Sequence, residues 1–125
     1  MRRPNFNLLA LMLMCFLFLI FVQDVSGEVL PDINPPTNLT ATAVSSSQIN
    51  LAWTDNSSNE TGFIIERKMG NDAYEQISTV PENAITFADT GLIANKTYTY
   101  QVQAYNDAGK SIYSNEVKPP PPKLR

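Results

Sequence analysis

The 125-residue chain has no histidine, and its single cysteine, Cys15, sits in an apolar run near the N-terminus. Histidine titrates nearest neutral pH and is the commonest zinc-binding nitrogen, so its absence removes Ser-His-Asp and Cys-His catalytic sets and the ordinary zinc sites. One cysteine permits no disulfide within a monomer, so any folded domain must rest on core packing alone. Basic residues are also few, nine against twelve acidic ones, and Arg67-Lys68 is the only adjacent basic pair beyond Arg2-Arg3. Phosphate backbones are held by clustered Lys and Arg, so the composition argues against a nucleic-acid partner. Helical periodicity of apolar residues is missing after residue 27, which points away from helices altogether.

What is present begins with an export signal. Arg2 and Arg3 open it, an unbroken apolar run spans Leu8 to Val22, and Val25-Ser26-Gly27 offer a small-residue cleavage site, which defines a signal peptide over 1–27. As a helix the run reaches about 22 Å, short of the ~30 Å hydrocarbon core, so cleavage is preferred to an uncleaved membrane anchor, and membrane contact is expected only if the segment stays. The arginine pair lacks a preceding Ser or Thr and is followed by Pro4-Asn5, unlike a twin-arginine signal. Cys15 follows Met12-Leu13-Met14 rather than small residues, which argues against lipidation. The expected location is therefore secreted or extracellular, with a membrane-anchored domain facing outward as the alternative.

An extended, Pro-punctuated lead-in over 28–34 follows. Seven short segments then recur at near-regular spacing, rich in Val, Ile, Thr, Tyr and Phe and bounded by Gly, Pro, Asn, Asp or Ser. They are Asn38–Val44, Gln48–Thr54, Gly62–Met69, Ala73–Val80, Ala84–Ala88, Thr97–Asn106 and Lys110–Lys118. Alternation puts Leu39, Ile49, Leu51 and Trp53 on inward faces, with Phe63 and Ile65 on the third segment. The sixth is the clearest, with Tyr98, Tyr100, Val102 and Ala104 alternating against Thr99, Gln101 and Gln103. This pattern predicts an all-β, seven-stranded antiparallel sandwich, with a closed barrel as runner-up.

The run Pro35-Pro36-x-Asn38-Leu39, the strand Ile49-x-Leu51-x-Trp53, Gly62-Phe63-x-Ile65, and Leu92 six positions before Tyr98-x-Tyr100-x-Val102-x-Ala104-x-Asn106 together resemble a fibronectin type III domain over 35–118. The ending Asn106-x-Ala108-Gly109-x-Ser111-x-x-Ser114-Asn115 is similar to that family's last hairpin. The resemblance implies an immunoglobulin-like fold. It also implies a tyrosine corner in which the Tyr98 hydroxyl bonds back to the loop after Leu92. The Asp-Asn-Ser-Ser-Asn-Glu-Thr-Gly loop after Trp53 is similar to modules attached to secreted microbial enzymes and surface proteins.

Candidate chemistry is sparse. A carboxylate pair of the glycosidase kind needs a cleft that so small a sandwich hardly offers, so no catalysis and no cofactor are expected. The loop Asp55–Glu60 gathers oxygen donors, but its spacing departs from the twelve-residue calcium loop, and it reads better as an ordinary turn. The loop Asn106–Lys110 lacks the Arg-Gly-Asp by which some members of the family bind integrins. Tyr105, Ile112 and Tyr113 flank it as a candidate protein-contact patch. Asn38, Asn56, Asn59 and Asn95 each open an Asn-x-Ser/Thr triplet, relevant only in a eukaryotic host. Pro119–Pro122 opens a Pro-rich tail or linker over 119–125, read as a stiff spacer or plain tail. The leading expectation is an exported, monomeric interaction or spacer module for a protein or cell-surface partner. The alternatives are a carbohydrate- or surface-targeting unit beside a secreted hydrolase, and an ectodomain tethered by its uncleaved helix.

Overall fold

The computed structural model describes residues 32–124; the signal segment, its cleavage site, the first part of the lead-in and Arg125 lie outside the described residues. Among the described residues seven strands form two antiparallel sheets: β1 (Thr37–Ser45), β2 (Gln48–Thr54) and β5 (Thr86–Asp89) in one, and β4 (Glu75–Pro81), β3 (Gly62–Met69), β6 (Tyr98–Asn106) and β7 (Gly109–Lys110) in the other. The order is β1-β2-β5 facing β4-β3-β6-β7, an all-β sandwich. Among the described residues no helix is long and apolar enough to cross a membrane.

The period-two pattern decides the interior. Leu39, Ile49, Leu51 and Trp53 from one sheet meet Phe63, Ile65, Tyr98, Tyr100, Val102 and Ala104 from the other, and Leu92 seals one end; all are buried. Ile33 of the lead-in joins this cluster, and Pro36 is fully buried, so the chain is already committed to the core before its first strand. The Ile93 N–H donates to the Tyr98 hydroxyl at 3.0 Å, a bond closed across five residues. Tyr98→Phe leaves that N–H without its acceptor and is expected to cost about 1 to 2 kcal/mol, read as a shift in urea midpoint at unchanged slope.

Three segments depart from the pattern by more than a residue at one end. The fourth strand starts at Glu75 rather than Ala73, and the fifth spans Thr86–Asp89 rather than Ala84–Ala88. The larger correction concerns Lys110–Lys118, where regular pairing ends after Lys110 and returns as a single bridge between Tyr100 and Val117. The backbone bonds explain it. Ser111, Ser114 and Val117 donate to the carbonyls of Ala104, Val102 and Tyr100, so the returning segment advances three residues for every two of β6. That mismatch removes the carbonyls a ladder needs, and serine hydroxyls replace two of them: Ser111 Oγ accepts from Ala104 N–H at 2.9 Å and Ser114 Oγ from Val102 N–H at 3.0 Å.

The proline segment is the other correction. It is not a tail apart from the fold, because Pro119 and Pro122 are buried and the Asn95 N–H donates to the Pro122 carbonyl at 2.7 Å. At the other end of the domain, the loop after β2 fastens the lead-in. Asn56 donates to Pro35 O and Thr37 Oγ1, Ser57 Oγ to Asn34 O, and Asn59 to Asp32 O.

Candidate contact surface

The outer face of the four-stranded sheet is built by register. β3 and β6 pair without a shift from Gly62↔Tyr105 to Met69↔Tyr98, so Ile64, Glu66 and Lys68 stand beside Gln103, Gln101 and Thr99 on the face turned from the core. These positions are largely covered, since Ile64, Thr99, Gln101 and Gln103 are all buried. Part of the covering is the irregular segment after β7. The Gln103 amide donates to Ser111 O at 2.9 Å, and the Tyr113 hydroxyl donates to Glu66 Oε2 at 3.0 Å while the Gln101 amide donates to Glu66 Oε1 at 2.8 Å. One carboxylate thus bridges Tyr113 to the sheet, one oxygen taking the phenol and the other the amide.

Tyr74 approaches the same carboxylate from the turn before β4. Lys68 Nζ lies 4.8 Å from its ring centroid. Enclosure first, then the negative charge of Glu116, pushes the Tyr74 pKa up to about 12. Burial and the Glu66 carboxylate move Tyr113 in the same direction.

Of the three residues predicted as a patch, Tyr113 (42% exposed) and Ile112 (75% exposed) are open to solvent. Tyr105 is half-buried and lies against Gly62, where a Cβ would collide with its ring and with the Val80 carbonyl. Gln101, which shares Glu66 with Tyr113, sits four residues along β6 from Tyr105, a distance of about 13 Å. The Tyr113 hydroxyl is therefore turned toward Glu66 and Gln101 rather than toward Tyr105. Tyr113 groups with Tyr74, Lys68, Glu66 and Gln101, none of which alternation singled out as a contact residue. The alternation of Thr99, Gln101 and Gln103 did mark the face, but only the strand register shows what crosses it.

The loop Asp55–Glu60 is held by hydrogen bonds within it and to the segments around it. Asp55 Oδ1 accepts from Ser57 N–H at 2.9 Å, and buried Glu60 accepts from Asn83 N–H at 3.1 Å. Burial raises the Asp55 pKa against that backbone bond, with the Glu60 carboxylate adding to the rise. Among the described residues no three His, Cys, Asp or Glu side chains converge to hold a metal ion. Trp53, the one tryptophan, faces Phe63 in the core at 5.6 Å between ring centroids and is not free to make a surface contact.

Known proteins carry the same design. An "Alpha-amylase" of Niallia circulans is 34% identical over 94 residues, and "Exoglucanase B" of Cellulomonas fimi is 36% identical over 87 residues. These matches cover 71% and 66% of this chain but only 7% of each relative. Among solved structures, the chicken CNTN1 FN1-FN3 domains superpose with a TM-score of 0.66 at 23% identity, covering 73% of this chain and 32% of that one. The third fibronectin III domain of human KIAA0343 protein gives 0.64 at 20% identity, covering 80% and 90%. Residues 34–119 match the family described as "Fibronectin type III domain", and with the sandwich, the Ile93–Tyr98 bond and the register all in place, the chain belongs to the fibronectin type III family.

Proposed function

We propose that this domain is an exported, non-catalytic module that holds neighbours at a fixed separation and offers them a protein-contact surface. The observation that carries the reading is that both ends of the domain are fastened. The lead-in is bonded to the loop after β2, while the prolines are bonded to Asn95, before β6, and run beside Ala41–Ser45. Those two places lie at opposite ends of the antiparallel β1-β2 pair, so Asp32 and Lys123 are held at opposite poles of the domain. A free linker would not hold its ends in this way. Spin labels on Asp32→Cys and Lys123→Cys are expected to give one narrow distance distribution by pulsed electron resonance. A broad distribution would remove the spacer reading.

The relatives favour a second reading. Their names are those of an amylase and an exoglucanase, which suits an accessory unit that targets a polysaccharide. The tyrosines around Glu66 supply rings for such a contact. Retention on insoluble starch or cellulose that is lost in Tyr113→Ala would support it, and no retention on either would set it aside.

A further inference from the structure

Unpaired N–H and C=O groups along a sheet edge are a template for another chain, and natural sheets blunt such edges with short strands, charges, prolines or bulges. Most edges here carry such a device. β5 has four residues, β7 has two, and β4 contains a register shift opposite Ile65 and Glu66 and ends at Pro81. β1 is the exception. It is a nine-residue edge strand, Thr-Asn-Leu-Thr-Ala-Thr-Ala-Val-Ser, with no charge and no proline, and its irregularities fall near its ends.

What stands against β1 comes from the far end of the chain. The Asn115 side chain engages Leu39 like a neighbouring peptide group, with Oδ1 accepting the Leu39 N–H at 2.9 Å and Nδ2 donating to its carbonyl at 3.0 Å. The backbone of Leu39 therefore points off the sheet, and strand alternation turns Ala41 and Ala43 the same way. Beside them runs a groove of ≈ 410 Å³ whose opposite wall is Pro120, Pro121 and Lys123. That wall is anchored by buried Pro119 and Pro122 and by the Asn95 bond. Four consecutive prolines have no N–H to give, so they occupy the flank of the strand without prolonging the sheet.

We propose that Asn115 and Pro119–Pro122 form a guard over the β1 edge, and that the partner they exclude is a second copy of this chain, pairing β1 antiparallel to β1. Identical edges meet most simply in such a two-fold arrangement, and a neutral strand brings no like-charge repulsion against it. The test measures mass by light scattering over a wide concentration range for the purified protein, for a form ending at Lys118, and for that form carrying Asn115→Ala. The intact protein is expected to keep a single mass, while the truncated Asn115→Ala form doubles it with concentration. Adding Val44→Lys, at an exposed position of the same strand, is expected to return the single mass. A truncated variant with native circular dichroism that stays monomeric overturns the proposal, as does a dimer indifferent to Val44→Lys. Should truncation prevent folding, the full chain with Asn115→Ala, Pro120→Gly and Pro121→Gly decides in the same terms: a dimer that Val44→Lys dissociates supports the guard, and a folded monomer refutes it.

Discussion

Trp53→Ala is expected to destabilise the domain by about 3 to 5 kcal/mol, the range for truncating a large buried aromatic. Trp53 is 5% exposed and lies tilted at 58° against Phe63 of the opposite sheet, within the core cluster. No neighbouring strand can collapse into the space it leaves without breaking the pairing of β2 with β1 and β5, so the cavity persists. A domain without disulfides has a total stability of roughly 5 to 15 kcal/mol, so this one change should leave much of the population unfolded. The indole N–H has no hydrogen-bond partner among the described residues. Trp53→Phe removes that orphaned donor along with part of the volume, and should cost clearly less than alanine. Urea unfolding followed by far-ultraviolet circular dichroism checks both. A loss under about 1 kcal/mol for Trp53→Ala, the scale of a surface change, would mean that the two sheets do not depend on this contact.

The sequence made the interior readable because alternation is strong where both faces of a strand differ. Gln48–Thr54 and Gly62–Met69 match their predicted limits, and the sixth segment differs by one residue. Where tertiary contacts outbid local pattern, reading failed. Asp89 looks like a turn residue just beyond a strand, yet it is the last paired residue of the fifth, opposite Ile49, and its buried carboxylate has partners in the interior. Ser111 and Ser114 look like ordinary polar residues of a last strand, yet their hydroxyls replace main-chain acceptors and dissolve its register. The contact surface was half legible. Tyr105, Ile112 and Tyr113 were visible as residues, but the meeting of Tyr113 with Glu66 joins positions 47 apart in sequence, and only strand pairing fixes that. The proline segment misled for a related reason: composition gives its stiffness but not the groove in which it lies.

The buried carboxylate of Asp89 leads to the second large effect. Asp89 is 5% exposed and comes from β5, whereas its partners come from the opposite sheet. Arg67 Nη1 donates to both its oxygens, at 3.0 and 2.9 Å, and the Tyr100 hydroxyl donates at 2.8 Å. Arg67 also stacks over the Tyr98 ring at 5.4 Å, which ties the ion pair to the tyrosine corner. Asp89→Ala strands a guanidinium and a buried phenol together. The expected cost is about 3 kcal/mol, the low end for a broken buried pair because the Arg67 side chain keeps some contact with water. The double variant Arg67→Met with Asp89→Leu removes both charges and should recover much of that loss, which separates an uncompensated charge from simple loss of packing. The same geometry sets the alkaline limit. Burial first, then the bond to Asp89, holds the Tyr100 pKa well above its ordinary value, and that of Tyr74 is raised to about 12. In the unfolded chain both ionise near pH 10, so their contribution is whole below that pH and is lost as pH climbs toward 12 and beyond. Tyrosinate absorbance at high pH should therefore rise together with unfolding, and Tyr100→Phe should make unfolding less steep in pH. Tyrosinate forming fully near pH 10 in a chain that remains folded would contradict the buried network.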